Sequence, residues 1–377
     1  MVFVWRNLSG LPAIVRPTTV RDDTQMIIYD SAAEFAGLES RWNRVALAAP
    51  RPSLTHEWLL AWWRAFGGGE TIAVTHEAGD GSLLAGALLV RTSRVIRAAA
   101  NEYTDDWDIV ARDDSARAAL LREIARFRVA KLDLPRLPGE SATVAMATDA
   151  FDRGGYRVAI SPEEASPYLP LPSTWDELLG TVSRNQRSKI RRYRRRLEEG
   201  GLAFRTVTES GVDRALRSFF AVEASGWKGA SGTAIVQRPD AHQFYSEFAN
   251  AAAANGWLRL HLLELEGAVI AAAYSCVLGK TAFVLKSGFD ERHRDLAPGA
   301  VLRTEALHQA VSDGLARYEF MGKGDPHKLH WTPRLRQRMV VRAYRGLALP
   351  EYAYRHQARP LAGRIRNLVR PKHVDSV

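Results

Sequence analysis

The 377-residue sequence contains a single cysteine, Cys276. That excludes an intrachain disulfide and any cysteine-based metal cluster, and it fits a reducing compartment. No stretch approaches the roughly eighteen uninterrupted apolar residues of a membrane span, so none is expected. The opening residues MVFVWRNLSGLPAIVRPTT lack the basic start and long apolar run of a signal peptide. A cytoplasmic protein with a flexible N-terminus, 1–23, is the expectation. There is no nucleophile-elbow pattern for a serine hydrolase and no sustained heptad repeat.

What is abundant is positive charge. Lys and Arg number 52 against 42 Asp and Glu, a net charge of +10, which favours phosphate-bearing or otherwise anionic partners. Much of the surplus sits in RNQRSKIRRYRRR, residues 184–196, with eight basic residues in thirteen positions and no acid. Leu179, Val182, Ile190, Tyr193 and Leu197 recur through it at helical spacing, with Gln186 at one polar step. The segment therefore reads as an amphipathic helix, not a disordered basic tail. Ser183 with Gln186 forms a capping-box pair at its start and Gly200-Gly201 marks its stop. Seven of its eight cations are arginine, the residue suited to planar, bidentate contacts with phosphate or carboxylate. Arg191, Arg192 and Arg195 are the candidate substrate-binding cations of this face.

The periodicities predict a mixed α/β chain in two halves. The first, 24–163, reads as a helix over 32–48, a tryptophan-rich helix over 57–66, and strands at 71–76 and 83–91 joined through Gly79-Asp80-Gly81. A strand at 106–110, a helix over 115–128 and strands at 131–134 and 156–160 complete it. The proline-punctuated SPEEASPYLPLPS, 161–173, reads as a linker. The second half, 164–346, repeats the order: the arginine helix, a strand at 203–208, helices over 212–223 and 239–255, and strands at 257–265 and 268–278 joined through Glu266-Gly267. A strand at 281–287, a helix opening at Pro298-Gly299, and strands at 317–321 and 337–344 follow. Matching hairpins suggest an internal duplication of fold. Residues 347–377 form a basic tail.

Candidate chemistry gathers in the second half. FVLKSGFD, ERHRDLA and PGAVLRTEALHQAV read as strand, loop and a helix with proline at its first position. Such a helix start presents free backbone N–H groups and a positive dipole end, suited to pyrophosphate. Arg292 and Arg294 lie in the approach. Asp325, His327 and His330 form a D-x-H-x-x-H string, read as loop histidines; no metal site is expected. Cys276, on an apolar strand, reads as core.

Four segments carry a family resemblance: SRNQRSKIRRYRRRLEEGG, EASGWKGASGTAI, LKSGFDERHRDLAPGAVLRTEAL and YEFMGKGDPHKLHW, in that order over roughly 165–345. They resemble the GNAT acetyltransferase superfamily, specifically the acetyltransferase-like domain of CelD/BcsL-type proteins, itself similar to FemABX transferases. The first half, with SLTHEWLLAWWRAFG, resembles the degenerate GNAT-like repeat that precedes such domains. The resemblance implies two tandem GNAT-like domains, the first degenerate, on a mixed sheet. It implies N- or O-acyl transfer from acetyl-CoA or another acyl-CoA, used as co-substrate with no permanently bound cofactor, to an amine or hydroxyl. It places the pyrophosphate on Arg294 and the backbone of Leu296, Ala297, Gly299 and Ala300, although APGA departs from the usual Gly-x-Gly/Ala pattern and proline removes one donor. Glu223 is the first candidate base and Glu319 the second; Tyr318 is the candidate acid for the thiolate. Trp227, Lys228, Lys286 and Lys328 are further candidate substrate contacts. The family association points to cell-envelope or exopolysaccharide metabolism. Two alternatives stay open: a FemABX-like transferase drawing aminoacyl groups from tRNA, which the arginine helix suits, and a non-catalytic GNAT-like binding module.

Overall fold

The computed structural model describes residues 3–4, 24–199, 201–226, 229 and 231–358. Trp227, Lys228 and Gly200 lie outside the described residues, as do nearly all of 1–23 and the tail from 359 onward.

The chain begins with β1 (Phe3–Val4) and β2 (Thr24–Tyr29). The helix expected over 32–48 is two, α1 (Ala32–Ala36) and α2 (Glu39–Ala46), broken at Gly37–Leu38. The tryptophan helix is α3 (His56–Phe66), capped by the Thr55 hydroxyl, which accepts from Trp58 N–H. β3 (Thr71–Ala78), β4 (Leu83–Arg91), β5 (Val95–Ala98) and β6 (Val110–Ala111) follow. Then come α4 (Asp114–Arg126), β7 (Lys131–Pro138), α5 (Ala142–Asp152) and β8 (Arg157–Pro170). The second half contains α6 (Trp175–Thr181), α7 (Arg184–Glu199), β9 (Leu202–Val207), α8 (Val212–Ala224) and α9 (Pro239–Ala254). β10 (Leu258–Leu265), β11 (Ala268–Leu278), β12 (Thr281–Phe289) and α10 (Pro298–Ser312) continue it. β13 (Arg317–Glu319), α11 (Pro326–Leu329), β14 (Leu335–Tyr344) and α12 (Leu349–Ala353) complete the described chain.

The strands form one mixed sheet in the order β1-β2-β3-β4-β5-β7-β14-β8-β13-β12-β11-β10-β9, with β6 on β4. Each half runs as an antiparallel meander ending in one parallel pair, β5 with β7 and β12 with β13. The duplication expected from the hairpins is thus present in the pairing pattern. The final strands are exchanged: β8 of the first half pairs with β13, and β14 of the second pairs with β7.

That exchange corrects the expected linker. Residues 161–170 lie inside β8, which pairs with β14 and then passes to β13 at Pro167–Tyr168. Proline donates no ladder hydrogen bond. Pro167 sits where the strand changes partner, and Pro162 lies beside a bulge in the facing strand. The expected strand at 106–110 is also mostly absent. Its carboxylates turn inward instead: Asp106 accepts from Arg336 at 3.0 and 2.7 Å and from Arg51 at 3.0 Å. α5 and β5 were not legible in the periodicity.

The largest apolar cluster joins the halves through α3 and α9. Trp58 meets Phe244 and Phe248 edge-on, with ring centroids 4.8 and 4.9 Å apart. Such aromatic pairs stabilise by about 0.5–1.5 kcal/mol beyond their burial. The tryptophans of α3 are core residues.

Candidate active site

The site arises where a parallel pair comes apart. β12 and β13 are in register only at Thr281–Arg317, Ala282–Tyr318 and Phe283–Glu319. β13 then ends while β12 runs on to Phe289. A wedge opens between them, and a cavity of about 510 Å³ occupies it, bordered by the end of α8, β12, the start of α10, β13 and α11.

The start of α10 forms one wall. Its N-cap, Ala297, is left-handed at φ +53° and supplies no side-chain cap, a conformation unusual for a residue with a Cβ. Pro298 occupies the first turn and has no N–H. Ala297 N–H donates to Arg294 O at 2.9 Å, and Ala300 N–H donates to Ala297 O at 2.9 Å. The four-residue backbone cradle expected from the resemblance is therefore smaller. Ala297 and Ala300 line the cavity with engaged amides, whereas the Gly299 amide has no backbone partner among the described residues. Leu296 does not line the cavity; it packs against the cluster containing Val301 and Leu302. Arg294 lies exposed on the cavity wall, while Arg292 is engaged by Asp290, its Nε at 3.0 Å and its Nη2 at 2.6 Å from carboxylate oxygens. That pair holds the Asp290 carboxyl below its ordinary range, chiefly through the Arg292 hydrogen bonds.

Glu223 reaches the opposite wall because α8 presses closely on β12. A Cβ on Gly288 would lie 2.9 Å from the Glu223 Cα, so only glycine permits this approach. The Glu223 carboxylate is buried and its Oε2 accepts from the Ile235 N–H at 2.9 Å. Tyr318, on β13, lines the cavity with Phe320, ring centroids 5.0 Å apart. Burial pushes the Tyr318 phenol up, with Arg303 opposing. Its proton is thus held more tightly than that of a thiol, whose ordinary pKa is near 8.5. Tyr318 therefore faces the cavity as a hydrogen-bond donor.

Alternation along β13 sends Glu319 to the other face. It is buried, pairs with Arg317 at 2.7 Å and lies 3.7 Å from Arg336. The second base candidate is therefore outside the cavity, held by arginines that do not come from the basic helix. Lys328 lines the cavity, but its ammonium is occupied: Nζ donates to Met321 O at 2.9 Å and Lys323 O at 3.0 Å, and lies 3.3 Å from Asp325. An ammonium has three donors, so Lys328 primarily shapes the 321–325 turn. Lys286 lies outside the cavity lining, 5.4 Å over the Tyr103 ring of the first half.

The arginine helix is two helices in the structure, because Val182 is extended between α6 and α7. A full capping box forms at Thr174–Glu177, whereas at Ser183 the observed bond is Gln186 N–H to the hydroxyl at 3.2 Å. Gln186 and Ile190 are buried, and Tyr193 and Leu197 pack on the core. Arg194 turns inward to the buried Glu305 of α10, 3.4 Å away. Arg191, Arg192 and Arg195 are exposed on the other face and do not line the cavity.

Among the polar lining residues, Arg303 was not singled out in the sequence, and His327 was read there only as a loop histidine. Arg303 follows Gly299 by four positions and shares its helix face. His327 stands at the rim, where burial first and then the Arg303 and Lys328 cations lower its pKa, leaving it neutral at neutral pH. Among the described residues no group of three or more His, Cys, Asp or Glu is placed to hold a metal ion. No described helix is long and apolar enough to cross a membrane.

Comparison with known proteins agrees with this geometry. Residues 184–329 match the family model of an acetyltransferase (GNAT) domain. No curated protein matches the chain by sequence. Among solved structures, FemX is similar with a TM-score of 0.61 at 14% identity, covering 85% of this chain and 98% of that one. The C-terminal domain of a putative lysylphosphatidylglycerol synthetase from Agrobacterium fabrum has a TM-score of 0.57 at 14% identity, covering 86% and 95%. L-PGS from Bacillus licheniformis has 0.50 at 14% identity, covering 78% and 94%. At such identities the likeness is one of fold.

Proposed function

We propose that the protein is an acyltransferase that takes an acyl group from acyl-CoA and passes it to an amine or hydroxyl. The observation that carries this reading is the wedge between β12 and β13, with the uncapped start of α10 at its wall. A thioester lying in the wedge would have its pyrophosphate near the Gly299 amide, the helix dipole and Arg294. Glu223, on the facing wall, accepts the proton of the attacking amine or hydroxyl. The acceptor atom bonds to the thioester carbon, the C–S bond breaks, and the sulfur leaves as a thiolate. Tyr318 donates a hydrogen bond to that thiolate, which takes its proton from solvent.

The resemblance to CelD/BcsL-type proteins extends the proposal to an acceptor in cell-envelope or exopolysaccharide metabolism. Aminoacyl transfer from tRNA is the second reading, favoured by the exposed arginines of α7 and the likeness to FemX. Thermal unfolding with acetyl-CoA, longer acyl-CoAs, free CoA and tRNA separates the two. A ligand at a hundred times its Kd stabilises by about 2.7 kcal/mol, a rise of several degrees. The expected result is a rise with CoA compounds. No rise with any of them, together with salt-sensitive retention of tRNA, would replace the first reading by the second.

A further inference from the structure

Arg303 has the least satisfied charge in the cavity. Its positions relative to Gly299, Ala300 and Ala306 put all four on one face of α10, and all four line the wedge. Among the described residues no hydrogen bond or ion pair engages its guanidinium; Tyr318, Tyr193 and Asp325 act on it only through their fields. The other inward arginines differ. Arg336 holds Asp106 through two hydrogen bonds, Arg338 bonds Asp105 at 3.1 Å, and Arg117 lies 3.3 Å from Asp108. A half-buried guanidinium with unmet donors is costly, because its hydration is reduced without compensation.

We propose that Arg303 binds a carboxylate carried by one of the two substrates. This rests on the reading that acyl-CoA occupies the wedge. The cavity that Arg303 lines is mixed: Val284, Leu302, Ala306 and Phe320 supply apolar wall, Glu223 and Glu291 are acids of the same lining, and the Lys328 ammonium is already occupied. One guanidinium therefore balances one negative charge. A carboxylate supplies that single charge in the planar, two-oxygen form that matches the guanidinium fork. The other arginine on the cavity wall, Arg294, is already assigned to the pyrophosphate, so a phosphate dianion at Arg303 would bring a second charge with no further cation for it. The carboxylate has two possible sources: the acceptor, if it is an amino or hydroxy acid, or the far end of the acyl chain, if the donor is a dicarboxylic acyl-CoA.

The test is thermal unfolding of wild type, Arg303→Met and Arg303→Lys at matched ionic strength. The probes are free CoA, acetyl-CoA, succinyl-CoA, L-alanine and L-alaninamide. Removing an unpaired cation should leave Arg303→Met folded and at least as stable as wild type. If the acyl chain carries the carboxylate, succinyl-CoA should bind wild type about tenfold or more tightly than acetyl-CoA, a preference lost in both variants. If the acceptor carries it, L-alanine should stabilise wild type where L-alaninamide does not, again only with arginine present. Carboxylate preference without any rise from CoA would retain this proposal and overturn the acyl-CoA reading. No carboxylate preference in wild type, or the same preference in Arg303→Met, would overturn the proposal. So would loss of the free-CoA rise in Arg303→Met, since the guanidinium would then serve the CoA phosphates.

Discussion

The same place in the two halves is built shut in one and open in the other. In the first half β5 ends at Ala98 while its parallel partner β7 runs on to Pro138. The gap beyond is filled by the chain itself: Trp107 N–H donates to Arg136 O at 3.0 Å, and its indole N–H reaches Leu88 O at 3.3 Å. Asp108 beside it is held by Ser141 at 2.6 Å and by Arg117. The helix that follows, α4, is capped by the Asp113 carboxylate, which accepts from Ala116 N–H at 2.9 Å. In the second half the gap between β12 and β13 is a cavity, and α10 starts at an alanine with no side chain to cap it. The first half keeps the fold after its wedge and helix end are occupied by its own residues. The chemistry depends on what those residues leave accessible, not on the sheet.

The comparison can be broken most forcefully at two glycines. A Cβ on Gly86 would meet the Trp42 ring at 2.5 Å, and one on Gly288 would meet the Glu223 backbone at 2.9 Å. Gly86→Ala and Gly288→Ala should each cost about 1–3 kcal/mol of stability through overpacking. Only Gly288→Ala should also abolish the CoA-induced rise and the transfer activity. Equal loss of ligand response in both would mean that the first half is not a bystander to the site.

A reciprocal exchange of helix caps sharpens the same contrast. Ala297→Asp places a carboxylate at the start of α10, where it competes with phosphate; aspartate tolerates the left-handed backbone there. CoA should bind about tenfold more weakly, as read by calorimetric titration. Asp113→Ala removes a cap and should cost about 1 kcal/mol with no CoA binding gained. The smallest effect on stability is expected on α7. Reversing Arg191, Arg192 and Arg195 to Glu should change stability by less than about 0.5 kcal/mol per residue, because all three are exposed. Ligand binding should weaken more than stability, and a melting temperature that falls with binding intact would reject a ligand-facing role.

Local signals in the sequence picked out several residues that line the cavity. Proline at the start of α10, the helix ending near Glu223 and the short strand carrying Tyr318 are all short-range patterns, and the structure brings these residues to one cavity. Glu319 was misplaced because a three-residue strand shows its inward face only once its neighbours are known. The amide count at α10 depends on the backbone of Ala297, which no composition rule gives to an alanine. Arg303 was hidden because an arginine between Leu302 and Thr304 resembles any arginine on a helix, and its lack of a partner is a property of the assembled walls. β8 was read as a linker because its prolines argue against a strand, and only the distant β14 and β13 explain how they are accommodated.

The exchange of β8 and β14 has a consequence for how such a protein can change over generations. The half whose own wedge is filled supplies the strand that flanks β13 and so supports the cavity, while its partner returns β14 to complete the other side. Neither half can be deleted, or paired with a different neighbour, without leaving the other with an unpaired edge. A second copy of the fold whose wedge is filled is in this way held by topology: its sequence is constrained wherever its last strand meets the other half.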